Sequence, residues 1–305
     1  MQDDGVSILC DIACELGEGP SYDPQSGKLF WFDIVGRKLL ERPFPDGPTA
    51  VHDLPFMASA IAFSDGGTQL LVGETGIYRR NPRTGALTLH TALEADNPKT
   101  RSNDARVHPS GAFWIGTMAK DEGEAAGAIY WFREGEVRTL YPGISIPNSI
   151  CFSPDGRIAY FADTPRGILY RVECDPATGM PTGEPRTFLD WRGREGFIDG
   201  SVVDAEGVLW NARWAAGAVD AWSPSGEHLR TIDTFLDMGK AEDVQDLLRR
   251  QDRAAGMPWV NTTAADRKGQ VLYADHSVVP HVTDEMAATC MTVVGRGLNE
   301  GAGLP

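Results

Sequence analysis

One pattern recurs six times along this chain: a short apolar run, a polar turn that ends in glycine, and a second run rich in β-branched and aromatic residues. The copies read GEGPSYDPQSGKLFWFD, SAIAFSDGGTQLLVGE, NDARVHPSGAFWIGT, NSICFSPDGRIAYFAD, DGSVVDAEGVLWNAR and NTTAADRKGQVLYAD. Runs of this kind joined by Gly-closed polar turns form β-hairpins. The turn glycines Gly27, Gly67, Gly111, Gly156, Gly207 and Gly269 are 40, 44, 45, 51 and 62 residues apart. A period of roughly 40 to 50 residues with several strands per unit points to β-propeller blades rather than a helical solenoid. Gly-led strands follow the hairpins in GIYRRNP, GAIYWFREG, GILYRVEC and GAVDAWSPSG, bringing each unit to four strands. The expected fold is therefore all-β: a six-bladed β-propeller of four-stranded blades, one domain over residues 1–305, with VSILCDIA available to complete the last blade and close the ring. A β-sandwich with regular turns is the competing reading, and the repeat period favours the propeller.

Charge narrows the partners. With 28 Lys and Arg against 43 Asp and Glu, the chain carries a formal charge of −15 and has no basic stripe to displace the counterions of a nucleic acid. The same repulsion disfavours an anionic membrane surface. At 42% hydrophobic and 23% charged residues the composition is that of a soluble globular protein, and no stretch reaches the roughly 18 apolar residues of a membrane helix. MQDDGVSILC does not read as a signal peptide, so the expected compartment is the cytoplasm. The five cysteines are an odd, sparse set without C-x-x-C and read as reduced thiols that fill the core. His52, His90, His108, His228, His276 and His281 show no H-E-x-x-H and are read as non-ligands. There is no G-x-S-x-G elbow and no Walker loop, so nucleotide binding is not expected. Nothing in the sequence fixes the oligomeric state.

The chemistry lies at one repeated position. Eight residues before the turn glycines stand Ser59, Asn103, Asn148, Asp199 and Asn261, while Glu18 stands nine before Gly27. Each falls at the start of a strand that ought to be apolar, an unfavourable place for a carboxylate unless it shares a wet or metal-filled space. In a propeller, the innermost strands of successive blades run along the central channel, so Glu18, Asn148 and Asp199 are expected to meet there. Two carboxylates and an amide carbonyl make an all-oxygen set suited to calcium, magnesium or manganese. Read one at a time, Asn and Asp at these places only cap turns.

With those residues in view, ELGEGPSYD, RSNDARVHPSGAFWIGTM, IPNSICFSPDG and FIDGSVVDAEGVLWNARW together resemble the gluconolactonase, regucalcin and senescence-marker-protein family of six-bladed propeller sugar lactonases, over about residues 8–233. The resemblance implies a metal-dependent hydrolase that opens a sugar (aldono) lactone, with Glu18, Asn148 and Asp199 as ligands of one divalent ion (calcium, zinc, manganese or magnesium) and Asp199 also as base. It implies substrate-binding roles for Arg101 and Asn103, and for an acidic residue at Asp121, with Glu122 next to it as the alternative. A non-catalytic calcium-binding propeller of the regucalcin kind, or a propeller esterase of another substrate class, are the other functions the resemblance allows.

After about residue 234 that resemblance stops. Residues 236–290 instead resemble a segment of the penicillin-acylase-type N-terminal-nucleophile hydrolases, in which the Asn of WVNT, here Asn261, contributes to an oxyanion hole. The N-terminal serine nucleophile of those enzymes has no counterpart here, so acylase activity is not expected. AEDVQDLLRRQDRAA places Val244, Leu247 and Leu248 on one face, predicting a short helical insertion near residues 241–255. Residues 234–305 are thus expected either to form an atypical sixth blade or to make the chain a hybrid.

Overall fold

The computed structural model describes residues 9–10, 12–63, 67–123, 125–233, 262–265 and 271–274. Residues 10–231 form one compact unit built of five antiparallel four-stranded sheets. The first blade holds β1 (Gly17–Asp23), β2 (Lys28–Asp33), β3 (Lys38–Pro43) and β4 (Ala50–Asp53), and the second β5 (Ala58–Phe63), β6 (Gln69–Gly73), β7 (Gly76–Arg80) and β8 (Leu87–Ala92). The third holds β9 (Thr100–Val107), β10 (Phe113–Ala119), β11 (Gly127–Arg133) and β12 (Glu136–Ile144). The fourth holds β13 (Pro147–Phe152), β14 (Ile158–Asp163), β15 (Ile168–Glu173) and β16 (Arg186–Asp190), and the fifth β17 (Phe197–Val203), β18 (Leu209–Trp214), β19 (Ala218–Trp222) and β20 (His228–Asp233). Within every blade the strands pair in chain order, and the first strands β1, β5, β9, β13 and β17 lie side by side as the inner lining. This is a β-propeller.

The repeated hairpins form for local reasons. In the first turn Asp23 accepts from Gln25 N at 3.0 Å and Ser26 Oγ at 2.6 Å, while Gly27 N closes on Asp23 O at 2.9 Å. Asp204 does the same in the fifth, accepting from Glu206 N at 3.1 Å and Val208 N at 2.9 Å. Such side-chain turns release the chain into strands whose β-branched and aromatic residues suit a half-buried pleat.

Apolar residues then fill the seams between neighbouring blades. Phe30, Phe32, Leu39 and Leu71 pack blades one and two; Val72, Ile77, Phe113 and Ile115 pack two and three. Trp114, Ile129, Ile150 and Phe161 pack three and four, and Tyr160, Leu169, Ile198 and Leu209 pack four and five. The long connection between β15 and β16 turns back over this core, where Gly179 O and Thr178 O each accept from an indole, Trp114 Nε1 and Trp131 Nε1, both at 2.9 Å. His108 is buried between its Ser110 neighbour and Gly156 O at 2.8 Å, a structural tie from blade three to blade four.

Of the expected six blades, five lie among the described residues. The last repeat is present as an antiparallel hairpin of β21 (Thr262–Ala265) and β22 (Val271–Ala274), in a unit separate from the five blades. Asn261 and the helix expected at 241–255 lie outside the described residues.

Two aspartates that the repeat does not advertise set the approach to the inner strands. Asp33, at the end of β2, accepts from Glu15 N and Leu16 N, both at 3.1 Å, just before β1. Asp163, at the end of β14, accepts from Ser145 N at 3.1 Å and Ile146 N at 3.0 Å, just before β13. Asp163 is fully buried and is also paired with Arg166 at 3.0 Å. Asp163→Ala orphans two amides at once, and roughly 2–3 kcal/mol of stability is expected to go with them. Urea unfolding of the variant measures this; a loss below about 0.5 kcal/mol, the scale of an ordinary surface substitution, contradicts it.

Candidate functional site

Every inner strand breaks register with its neighbour at the same level. The breaks fall between Glu18 and Ser21, Ala58 and Ala60, Ser102 and Ala105, Asn148 and Cys151, and Ile198 and Ser201. A bulge re-aims side chains out of the alternation of the pleat. Here it swings Glu18, Asn103, Asn148 and Asp199 off the sheet faces. Backbone in the left-handed region marks two of the bulges, at Gly19 (φ +63) and Ser149 (φ +57). At position 19 only glycine fits, since a Cβ would stand 2.0 Å from Ser59 O.

The re-aimed groups line one cavity of about 280 Å³. Glu18 of blade one, Arg101 and Asn103 of blade three, Asn148 of blade four and Asp199 of blade five all reach it. On the other side of the carboxylates, β1 and β17 flank a second hollow of about 330 Å³ lined by Asp104 and Arg106 as well.

Hydrogen bonds join three blades into one directed chain. Arg101 Nη1 donates to Asn103 Oδ1 at 2.9 Å, and Asn103 Nδ2 donates to Pro147 O at 2.9 Å and Asn148 Oδ1 at 3.3 Å. Asn148 Nδ2 donates to Thr164 Oγ1 at 2.8 Å, and Thr164 Oγ1 donates to Ile198 O at 2.8 Å. Proton inventory fixes both amides. Thr164 spends its one proton on a carbonyl that can only accept, so the Asn148 atom facing it must be the NH₂. Asn148 Oδ1 is thereby left as an acceptor. The backbone of Asp199 is held as firmly, its carbonyl accepting from Ser149 Oγ at 2.6 Å and Asn211 Nδ2 at 3.2 Å.

The carboxylates strain against one another. Burial, then the charges of Asp199 and Asp104, push the Glu18 carboxyl up to about 7, against which Gly19 N and Arg101 act only in part. Burial raises Asp104 to about 6, with Arg106 and the Ile150 N–H (2.7 Å) opposing it and Asp199 adding to it. Asp199 is raised by burial as well, with the Gly200 N–H acting against it. Arg101, itself pulled down by burial, is supported by Glu18 and Glu122.

This donor set fits a hard divalent cation: two carboxylates and a fixed amide oxygen, all oxygen, in a negative pocket that its arginines do not neutralise. Among the described residues no three His, Cys, Asp or Glu side chains gather closely enough to hold a metal between them. Asp121 is placed elsewhere: it is exposed and accepts from Gly123 N at 3.2 Å in its own loop, while Glu122, its backbone at φ +59, lines the cavity. Asp104 and Thr164 escaped the sequence reading. Asp104 adjoins Asn103 inside the same bulge, and only the break in alternation brings both toward the hub; Thr164 lies in a 3₁₀ turn (Thr164–Arg166) outside the repeat.

Comparison with known proteins gives a consistent pattern. The profile of the SMP-30/Gluconolactonase/LRE-like region matches residues 16–236, and that of penicillin amidase matches residues 191–300. A Rhizobium meliloti (strain 1021) protein, assigned provisionally as a sugar lactone lactonase, is 47% identical over 72% of this chain and 74% of its own. Pentonolactonase XacC of Haloferax volcanii is 33% identical over 75% of this chain and 77% of its own. The crystal structure of a calcium-binding protein, regucalcin from Agrobacterium tumefaciens str. C58, superposes with a TM-score of 0.73 at 48% identity, covering 76% of this chain and 78% of that one.

A pH signature follows from the raised carboxyls. Glu18 and Asp104 rise from 4.5 to about 7 and from 3.8 to about 6, so the folded state keeps protons that the unfolded chain has already released. Their contribution to stability is complete below their unfolded values and is lost as pH climbs through the folded ones. A cation at the site favours the ionised forms, so its stabilising effect is expected to grow over that same interval. Thermal melts at pH 5 and pH 8, in chelator and in excess calcium, check this; a calcium-induced shift no larger at pH 8 than at pH 5 contradicts it.

Proposed function

The chain belongs to the SMP-30/gluconolactonase/LRE-like family, and on that premise we propose that it is a metal-dependent hydrolase that opens a sugar lactone to the aldonic acid. One observation carries the reading: Glu18, Asn148, Asp199, Arg101 and Asn103, drawn from four blades, line a single cavity. The names of the relatives support it, a pentonolactonase among them. The finer architecture belongs to the same proposal: six blades, of which the five described occupy residues 17–233.

Glu18, Asn148 and Asp199 would hold the cation. When bound, a divalent ion polarises the lactone carbonyl and lowers the pKa of a coordinated water. The protein's own groups do the rest. Arg101, held to Asn103 Oδ1 at 2.9 Å through Nη1, presents its remaining guanidinium N–H groups from the blade-three wall to ring hydroxyls and to the carbonyl oxygen as charge develops on it. Asn103, whose two amide protons go to Pro147 O and Asn148 Oδ1, offers the second lone pair of its Oδ1 to a ring hydroxyl. A carboxylate has two oxygens, so Asp199 can face the cation with one and accept the proton of the attacking water with the other. As the water oxygen bonds to the carbonyl carbon and the ring C–O bond breaks, that proton passes to the departing alkoxide, and the products balance as one hydroxy acid.

A second reading has a specific observation behind it, the similarity to a protein named as calcium-binding. Lactone hydrolysis assayed with and without chelator separates the two. Turnover abolished by chelator and restored by metal supports the lactonase; turnover that survives chelation removes the metal mechanism; metal binding without turnover of any aldonolactone establishes the binding protein. Asp199→Asn is expected to lower kcat at least ~10²-fold through loss of the base alone, and near-normal kcat ends that assignment. Glu18→Gln is expected to raise the metal concentration needed for half-maximal rate, with excess metal recovering part of the loss. A metal titration superimposable on that of the unsubstituted protein contradicts the role of Glu18.

A further inference from the structure

We propose that Phe197 and Trp214 form a stacking wall that takes the C–H face of the lactone ring and so favours cyclic lactones over open-chain esters; this rests on the lactonase reading above. Phe197 opens β17 and Trp214 ends β18, directly opposite in register, with ring centroids 5.5 Å apart and planes tilted by 42°. Both are exposed, at 47% and 64%, and both line the cavity that holds Glu18 and Asp199. Large aromatic rings exposed at the mouth of a polar cavity carry a desolvation gain that a ligand can collect.

Position gives the pair its meaning. A second exposed aromatic pair, Tyr22 and Phe44 at 5.8 Å, lies outside the cavity, so exposure alone does not distinguish Phe197 and Trp214. What distinguishes them is the opposite wall. Blade three contributes Arg101, Asn103 and Glu122, all able to hydrogen-bond, beside the single apolar Met118, whereas blade five sets Phe197, Ile198 and Trp214 around the one polar group Asp199. A polyhydroxylated ring has the same two-sidedness: hydroxyls project from its edge and C–H bonds cover its faces. Laid in this cavity with its hydroxyl edge toward Arg101 and Asn103, such a ring turns a C–H face to Trp214. An open-chain ester of the same acid has no rigid face to offer. The contact is remote from the bonds that change, so it is made about equally before and in the transition state, and its loss appears in KM rather than kcat.

The test compares Trp214→Ala, Phe197→Ala, their double variant, Trp214→Phe and, as control, Phe44→Ala, on an aldonolactone and on the methyl ester of the same aldonic acid. An aromatic contact is worth about 0.5–1.5 kcal/mol, which corresponds to a rise in KM for the lactone of roughly 2- to 10-fold in each alanine variant. kcat is expected to stay within about twofold, Trp214→Phe to recover most of the loss, and Phe44→Ala to match the unsubstituted protein. The ratio of kcat/KM for lactone over methyl ester falls in the alanine variants. Titration with the aldonate product quenches tryptophan emission in the unsubstituted protein, and the quench is lost in Trp214→Phe. Calcium affinity measured by calorimetry stays unchanged throughout, which shows that the ligands are intact. An unmoved KM in Trp214→Ala, or an unmoved lactone-to-ester ratio, overturns the wall while leaving the lactonase standing. Absence of lactone turnover in the unsubstituted protein overturns the functional reading itself.

Discussion

Three carboxylates reach the hub of the ring from three blades, Glu18 from the first, Asp104 from the third and Asp199 from the fifth, and their charges oppose ionisation of one another. In water such a cluster would disperse. It persists because each member is fixed to a separate sheet whose seams with its neighbours are filled by buried aromatic and aliphatic side chains. Hydrophobic contact between blades thus holds together groups that electrostatics would separate, and the resulting negative field is the property that a divalent cation can use.

Geometry at the hub depends on departures from regular pairing. An unbroken ladder would send alternate residues to opposite faces of each blade and leave the edge of the channel lined by backbone. The five breaks in register re-aim side chains out of the pleat, and the hydrogen-bond chain from Arg101 to Ile198 O then fixes the orientation of Asn103 and Asn148 among them. Asn148 is the clearest case. Its amide has two orientations of nearly equal shape, and the single proton of Thr164 selects the one that turns the oxygen, an acceptor for Asn103 Nδ2, away from Thr164.

The blades were legible in the sequence because a hairpin writes its own ruler. Turn glycines mark the register, and an offset of eight residues back from them, nine in the first blade, reaches the same level in each inner strand, which is why Glu18, Asn148 and Asp199 stand out in the sequence. Residues that depend on a break in that ruler did not stand out. Asp104 follows Asn103 immediately, and simple alternation would send it to the opposite face. Asp121 and Glu122 differ only in which one the loop turns inward, and the loop settles that through a left-handed backbone at Glu122 that no propensity announces. Asp33 and Asp163 read as strand-end residues until their amide partners, some seventeen positions away, are known. Trp214 reads as one more core tryptophan, and only its exposure separates it from Trp114.

The long return between β15 and β16 shows where such an architecture tolerates change. That excursion leans on Trp114 and Trp131 at the flank of blade four, while Asn148 on the inner strand of the same blade keeps its place in the chain from Asn103 to Thr164. Outer strands and their connections can therefore lengthen or shorten without shifting the axial chemistry.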